Sequence, residues 1–286
     1  GRLDWDSWWF KRLIRSNTFY QVGTGREQRR EFNFFKVQPG NGVHIWNDYD
    51  SNGIAGLNEF EIASELDRPR ADYIRVFVPV PGFINTNVNQ FNQSIFIQPS
   101  ARWKQRPKGL KGLPLRFSNL TALRTDRKLQ GTELLSLLNP LNINVADSQL
   151  ISTTTQLRNV LYFNRSGAVF GMDWEWQDRR SKSQLVNGFE LRTKSFHRLQ
   201  MRWNISSNWD LQSGHEWGEI VYNSEFFLNR NFNYEYRKTD VRFAFQQRSE
   251  WRLSLLYEYF YGLNDTVYGS QQSIEHKLGF ELRKSS

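Results

Sequence analysis

Strict alternation over long stretches is what most limits the folds open to this chain. "WRLSLLYEYF" sets Trp251, Leu253, Leu255, Tyr257 and Tyr259 against Arg252, Ser254 and Glu258. "IEHKLGFELR" sets Ile274, His276, Leu278, Phe280 and Leu282 against Glu275, Lys277, Glu281 and Arg283. "HRLQMRWNI" does the same with Leu199, Met201, Trp203 and Ile205 against Arg198, Gln200, Arg202 and Asn204. In "QSIFIQPSARW", Ile95, Ile97, Ala101 and Trp103 oppose Ser94, Gln98, Ser100 and Arg102. A period of two puts each set on one face of a strand. The expectation is an all-β, antiparallel fold.

Alternation alone leaves two architectures open. In a soluble sandwich the apolar face packs on a second sheet and the charged face meets water. In a transmembrane barrel the apolar face meets lipid and the charged face lines the interior. Composition leans to the barrel: of 286 residues only 38% are hydrophobic, yet 15% are aromatic, with 11 Trp and 22 Phe. No stretch approaches the roughly 18–20 apolar residues that a membrane helix needs.

Connection lengths point the same way. "FNRSG", "NISSNW" and "QQRSEW" read as tight turns. They alternate with the longer "QDRRSKSQLVNG", "GEIVYNSEFFLNRN" and "YGLNDTVYGSQQS". Outer-membrane barrels alternate short periplasmic turns with long external loops. Trp203, Trp209, Trp217 and Trp251 are candidates for an interfacial aromatic girdle. In "RNFNYEYRKTDVRFAFQ" the apolar phase slips from Phe232, Tyr234 and Tyr236 to Val241, Phe243 and Phe245, which predicts a bulge near Lys238–Asp240.

The reading divides the chain into an N-terminal β region, 1–90, and barrel strands, 91–286. In the first, "TFYQVGTG", "REFNFFKV" and "GVHIW" read as strands, punctuated by "VGTG" and "QPGNG". Pro79 and Pro81 confine or end the strand "ADYIRVFVPVPGFI". "LDWDSWWFKRLIRSN" suits a short interfacial helix or, preferably, a strand end and turn. Thr132 could cap a short helix through Ser136–Leu138. About nine strands are expected after Phe91, an odd count that suggests part of a larger barrel. The chain lacks an initial Met and a visible signal peptide, so it is expected to be a processed form or a fragment.

The chemistry-bearing motif is "NDYDSNGIAGLNEFE". Counted from Asp48, it places Asp48, Asp50 and Asn52 at positions 1, 3 and 5 of a calcium loop. Ile54 falls at 7, where a backbone carbonyl serves, and Glu59 at 12, where a bidentate carboxylate serves. Gly53 stands at the sharp turn. The flanking "GVHIW" is a strand, so this is EF-hand ligand logic without its helices. The opposing reading is a metal-free Asx/Gly turn.

Other candidates are weaker. His44, His197, His215 and His276 lack the spacing of a zinc pair. Ser213, His215 and Glu216 lie without a nucleophile elbow, and read as structural. Asp173 and Glu175 share a face, as paired carboxylates of a hydrolase would, but barrel interiors supply such pairs with Arg and Lys partners. No catalytic residue is assigned. The absence of cysteine removes disulfides and thiolate chemistry. The net charge of +9 is spread along strands, so nucleic acid is not expected as a partner.

Several blocks carry a family resemblance: "REFNFFKVQPGNGVHIWNDYDSNGIAGLNEFEIA", "DYIRVFVP", "FNQSIFIQP", "LYFNRSG" and "NSEFFLNRNFNYEY". The chain resembles a family of large outer-membrane β-barrel, cell-surface proteins of Bacteroidota, most specifically over 29–99. The resemblance implies an outer-membrane location, contact with membrane lipid and a surface-exposed calcium-type loop. It also implies chains longer than this one, and no known activity. In style the chain is similar to the giant barrels of the Bacteroidota secretion apparatus, without that function being carried over. The expected role is structural or transport-associated, in a larger envelope complex. The alternative is a soluble, calcium-dependent β-sandwich module binding glycans or proteins.

Overall fold

The computed structural model describes residues 1–63, 67–102, 112–131, 149–167, 169–185, 188–225, 230–247 and 251–284. Its strands are β1 (Arg2–Trp9), β2 (Ile14–Lys36), β3 (His44–Trp46), β4 (Phe60–Ile62), β5 (Tyr73–Ile97), β6 (Phe117–Gln130), β7 (Leu150–Phe163), β8 (Phe170–Leu185), β9 (Gly188–Asn204), β10 (Trp209–Ser224), β11 (Phe232–Gln247), β12 (Trp251–Asn264) and β13 (Gln272–Lys284). They form one 13-stranded antiparallel sheet. Eleven strands follow one another as an up-and-down meander, β1-β2-β5-β6 and onward to β13. The short β3–β4 pair hangs from the start of β5. Among the described residues β1 pairs only with β2, and β13 only with β12, so the sheet does not close. β5 runs through position 90, so the N-terminal region and the later strands share one sheet.

On β12 and β13 the alternation sorts the two faces as expected, with exposure inverted relative to a soluble sheet, whereas on β5 and β6 the face continuous with the apolar one carries the buried Asn89, Thr125 and Arg127. On β12 the apolar Leu253, Leu255 and Tyr257 are exposed, Leu255 at 48%, whereas Ser254 on the other face is 2% exposed. On β13, Phe280 and Leu278 are exposed at 67% and 77%. The polar face is the crowded one. Its ion pairs reach over an intervening strand: Arg252–Asp210 at 3.2 Å across β11, Arg242–Glu281 at 3.4 Å across β12, and Arg198–Asp240 at 3.7 Å across β10. Strands two apart lie about 9.5 Å from each other. Long side chains on this face bridge that gap, and we call it the concave face and the opposite one the convex face. Ala244, fully buried, and Gly214 lie in the strands beneath those bridges.

Several elements differ from the sequence reading. "VGTG" is no turn: β2 passes through it, with Gly23 and Gly25 on the concave side beside the Lys128–Glu27 ion pair that crosses β5. Pro79 and Pro81 do not end their strand. Residues 80–82 of β5 loop out opposite residue 29 alone, between the pairs Gln28↔Phe83 and Arg30↔Pro79. There β5 pairs only with β2, because β6 joins it from Thr86 onward, and a missing N–H is tolerated at such an edge. β11 has no bulge near Lys238–Asp240; its register with β10 and β12 is unbroken. The phase slip is a change of chemistry at fixed geometry: Val241, Phe243 and Phe245 lie on the convex face, whereas Phe232, Tyr234 and Tyr236 lie on the concave one.

The segment "LDWDSWWFKRLIRSN" is a hairpin, with Phe10, Lys11 and Arg12 all at positive φ in its turn. Two of the long loops are mostly strand. β8 continues through "QDRRSKSQL" to Leu185, β9 resumes at Gly188, and β10 extends to Ser224. The 95–103 alternation stops at Ile97, where Pro99–Arg102 forms a 3-10 turn; Trp103 lies outside the described residues. The expected helix over Ser136–Leu138 also lies outside them.

Candidate metal centre

The calcium-type motif sits on the β3–β4 hairpin. Register pairs His44 with Ile62, Ile45 with Glu61 and Trp46 with Phe60. The hairpin is fastened to β5 by backbone bonds. Val43 N–H reaches the Tyr73 carbonyl at 3.0 Å, and Gly40 and Gly42 N–H share the Ala71 carbonyl at 2.9 and 3.0 Å. A Cβ on Gly42 would meet the Ala71 carbonyl at 2.7 Å, so only glycine permits this close approach. Below it, Phe60 stacks on Phe34 with ring centroids 3.9 Å apart, and Tyr73 packs edge-on to Phe60.

Within the loop, short polar side chains fold the backbone around themselves. Asp48 accepts the N–H of Asn52 at 3.1 Å and of Gly53 at 2.9 Å. Asn52 Oδ1 accepts the Ile54 N–H at 2.6 Å, and its amide donates to Asp50 at 2.6 Å. Gly53 has φ +67°, and Ser51 φ +57°, the left-handed region that a sharp turn requires. Asn47 N–H closes the base on the Glu59 carbonyl at 2.9 Å.

Glu59 is the buried member, 7% exposed. Its Oε2 accepts from the Trp46 indole at 2.9 Å and from the Gly56 N–H at 2.9 Å. The indole, and then the Gly56 amide, hold its carboxyl below the usual carboxylate range. Carboxylate oxygens of Asp48, Asp50 and Glu59 all lie within 4.8 Å of one another. Three converging anions with an all-oxygen surround could hold a hard metal ion. The donor set fits such an ion, because each carboxylate keeps acceptor capacity beyond its N–H bonds.

Of the five residues singled out from sequence, Asp48, Asp50 and Glu59 are thus brought together. Asn52 spends its side chain on Ile54 and Asp50, organising the loop. Ile54, 71% exposed, has only its carbonyl to offer. The sequence reading missed Trp46, which orients Glu59, and the outer trio of Tyr49, Asn47 and Glu61. Tyr49 donates to Glu61 at 2.6 Å and Asn47 donates to it at 3.2 Å. A signal existed: Trp46 ends the strand that must pair with the strand following Glu59.

The other candidates disperse. His44 is buried against Phe34, and burial, then Arg75, lowers its pKa. His197 is stacked between Trp174 and Trp217, at 5.8 and 5.4 Å. His215 meets Thr239 at 2.8 Å, and His276 meets the Tyr257 hydroxyl at 2.9 Å. Ser213 and His215 lie on the convex face, whereas Glu216 lies on the concave one with Tyr236 at 2.6 Å. Glu175 of the carboxylate pair is held by Arg158 at 2.6 and 3.1 Å. Trp203, Trp209 and Trp251 mark tight-turn ends on the convex face, but Trp217 sits eight residues above Trp209. No protein-family model, curated protein or solved structure matches the chain.

Proposed function

We propose that this chain is a stretch of wall of a bacterial outer-membrane β-barrel, a non-enzymatic, structural or transport-associated surface component. The observation that carries this is the inverted exposure of β12 and β13: exposed apolar residues on the convex face, with the crowded polar face opposite. The convex row on β10 between the girdle candidates Trp209 and Trp217 carries Leu211, Ser213 and His215, and its apolar neighbours are Met201 and Leu199 on β9 and Val241 and Phe243 on β11. Nine residues rise about 26 Å along a strand, or about 20 Å across a bilayer at roughly 40° tilt, near the ~25 Å apolar band of such barrels. Polar and charged residues follow above it on the same face, Glu219 on β10 and Arg237 on β11. The partners implied are membrane lipid and other envelope proteins.

The β3–β4 hairpin would stand at the long-connection end, its loop closed by calcium. The ion would neutralise Asp48, Asp50 and Glu59 and draw the two ends of the loop together. The alternative, a soluble calcium-dependent sandwich module, is supported by the same loop. It needs a second layer over Leu253, Leu255, Leu278 and Phe280, which stand exposed.

Reconstitution into bilayers carrying brominated acyl chains separates the two. Trp174, Trp203, Trp209, Trp217 and Trp251 should be quenched, and the chain should need detergent to leave the bilayer. Unquenched fluorescence from a protein that stays dissolved without detergent would sink the barrel reading and favour the sandwich.

A further inference from the structure

The convex face is not convex throughout. Between Lys128 and Leu129 the β6–β7 register slips by one residue, so Leu150 comes opposite Leu129. A bulge of this kind turns a side chain to the other face. Val22 of β2 and Phe189 of β9 both pack against the Leu129–Leu150 pair. Side chains from strands two apart on either side thus meet over this face at this height.

Beside this cluster lies an open-sided cavity of about 540 Å³. That lies within the roughly 300–1,000 Å³ of small-molecule sites. Leu123, Leu157 and Trp176 line its lower part, Leu150 and Leu191 its upper part, and Arg127 faces into it. Arg127 is only 8% exposed, with no hydrogen-bond or ion-pair partner among the described residues. The neighbouring charges are otherwise engaged. Arg180 is tied to Asp178 at 3.1 and 3.2 Å, and Lys182 lies over the Phe189 ring at 4.7 Å. Arg127 is a largely buried side chain whose guanidinium has unused donors beside Thr153, Asp178 and the apolar lining, and an oxyanion would take them up. The guanidinium's planar fork matches a phosphate.

We propose that this cavity binds one anionic amphiphile, a phosphate ester carrying an acyl chain. The phosphate sits on Arg127, and the chain runs down past Leu157 and Leu123 toward Trp176. The polar end then lies at the height where the apolar band gives way to charge, as a lipid at an interface requires. The cavity and its arginine exist whether or not the chain is embedded in a membrane, so this inference does not depend on the barrel reading.

Dodecyl phosphate titrated onto the purified chain in an uncharged maltoside detergent tests it, with inorganic phosphate as the headgroup-only control. Expected are saturable binding, a rise in Tm, and inorganic phosphate weaker by about tenfold or more. Arg127→Gln should weaken dodecyl phosphate by about tenfold, the range of a charged hydrogen bond. Without ligand this variant should be at least as stable as the parent, since it loses an unpaired buried charge. A merely structural arginine would instead lower Tm. Thr155→Phe, which fills the cavity and keeps Arg127, should also abolish binding, and it carries the test if Arg127→Gln fails to fold. Unchanged affinity in either folded variant, equal binding of inorganic phosphate, or no binding would overturn the proposal. Repeating the titration with phosphatidylglycerol and with lipid A phosphate then identifies the source. A soluble chain that binds dodecyl phosphate would leave this inference standing while the barrel reading falls.

Discussion

At the scale of single residues, the candidate metal loop rests on two that the calcium pattern alone does not explain together. Gly53 supplies the left-handed turn, and Trp46 aims the one buried acid. Gly53→Ala puts a Cβ into that conformation and should cost about 1 kcal/mol. Calcium titration followed by Trp46 fluorescence should then show affinity reduced about fivefold. Glu59 provides the pH test. Its native pKa is depressed, by the indole and then the Gly56 amide, so the ionised form is favoured by folding. The stability it contributes is complete above its unfolded pKa of about 4.3 and is lost as pH falls through the lower native value. Acid titration of hairpin protease sensitivity should therefore show protection failing below about pH 4. Glu59→Gln should remove that step. The acids were legible because ligand spacing is local in sequence. Trp46 was not, because its contact with Glu59 depends on how two strands pair.

At the scale of strands, alternation identified the faces well and strand lengths poorly. The faces of β9, β12 and β13 follow from side-chain chemistry, since the pleat leaves no other option. Lengths failed where glycine and proline suggested breaks. Gly25 serves a crowded surface, where a Cβ would meet Thr86 Oγ1 at 3.1 Å, Gly23 continues the paired strand with open space beside it, and Pro79 sits beside an unpaired stretch, so none of them breaks its strand. β11 teaches the same lesson in reverse: its apolar phase changes while its register does not. A charge on its convex face tests this. Phe243→Arg should cost about 2–4 kcal/mol if that side chain meets the bilayer midplane. On the concave face, Ala244→Leu should cost about 1–3 kcal/mol by overpacking beneath the Arg252–Asp210 pair. Both are measured as unfolding midpoints of the refolded protein in lipid vesicles. Equal tolerance of Arg at 243 and at a concave position of β11 would contradict the assignment of faces.

At the scale of the whole molecule, the meander was visible in its alternating turns, whereas the contacts between strands far apart in the sheet were not. Arg75 of β5 reaches Glu225 just past β10 at 3.4 Å, and Glu225 also takes the Phe189 N–H at 2.9 Å. Residues 150 positions apart meet because strands curl, which no local pattern records. The two terminal strands of the sheet, β1 and β13, have one bonded neighbour each. Their amides should exchange with deuterium faster than those of β9 and β10, which are bonded on both sides. Uniform protection across all four would mean that both edges are covered in solution.

The bridges over Gly214, Ala244 and Ser254 carry one more implication. A Cβ at Gly214 would meet Asp240 at 2.6 Å, and Ala244 is already fully enclosed. Along this lane Ala244 and Ser254 leave no room for a larger side chain, and one at Gly214 would displace the Asp240 carboxylate. Sequence drift that the outer surface absorbs freely, one apolar side chain for another, is closed to these positions. Divergent copies of this sheet should differ most in their connections and in the apolar residues of the opposite face. They should agree on a track of the smallest residues running obliquely across β10, β11 and β12, which makes that track the alignment landmark for this sheet.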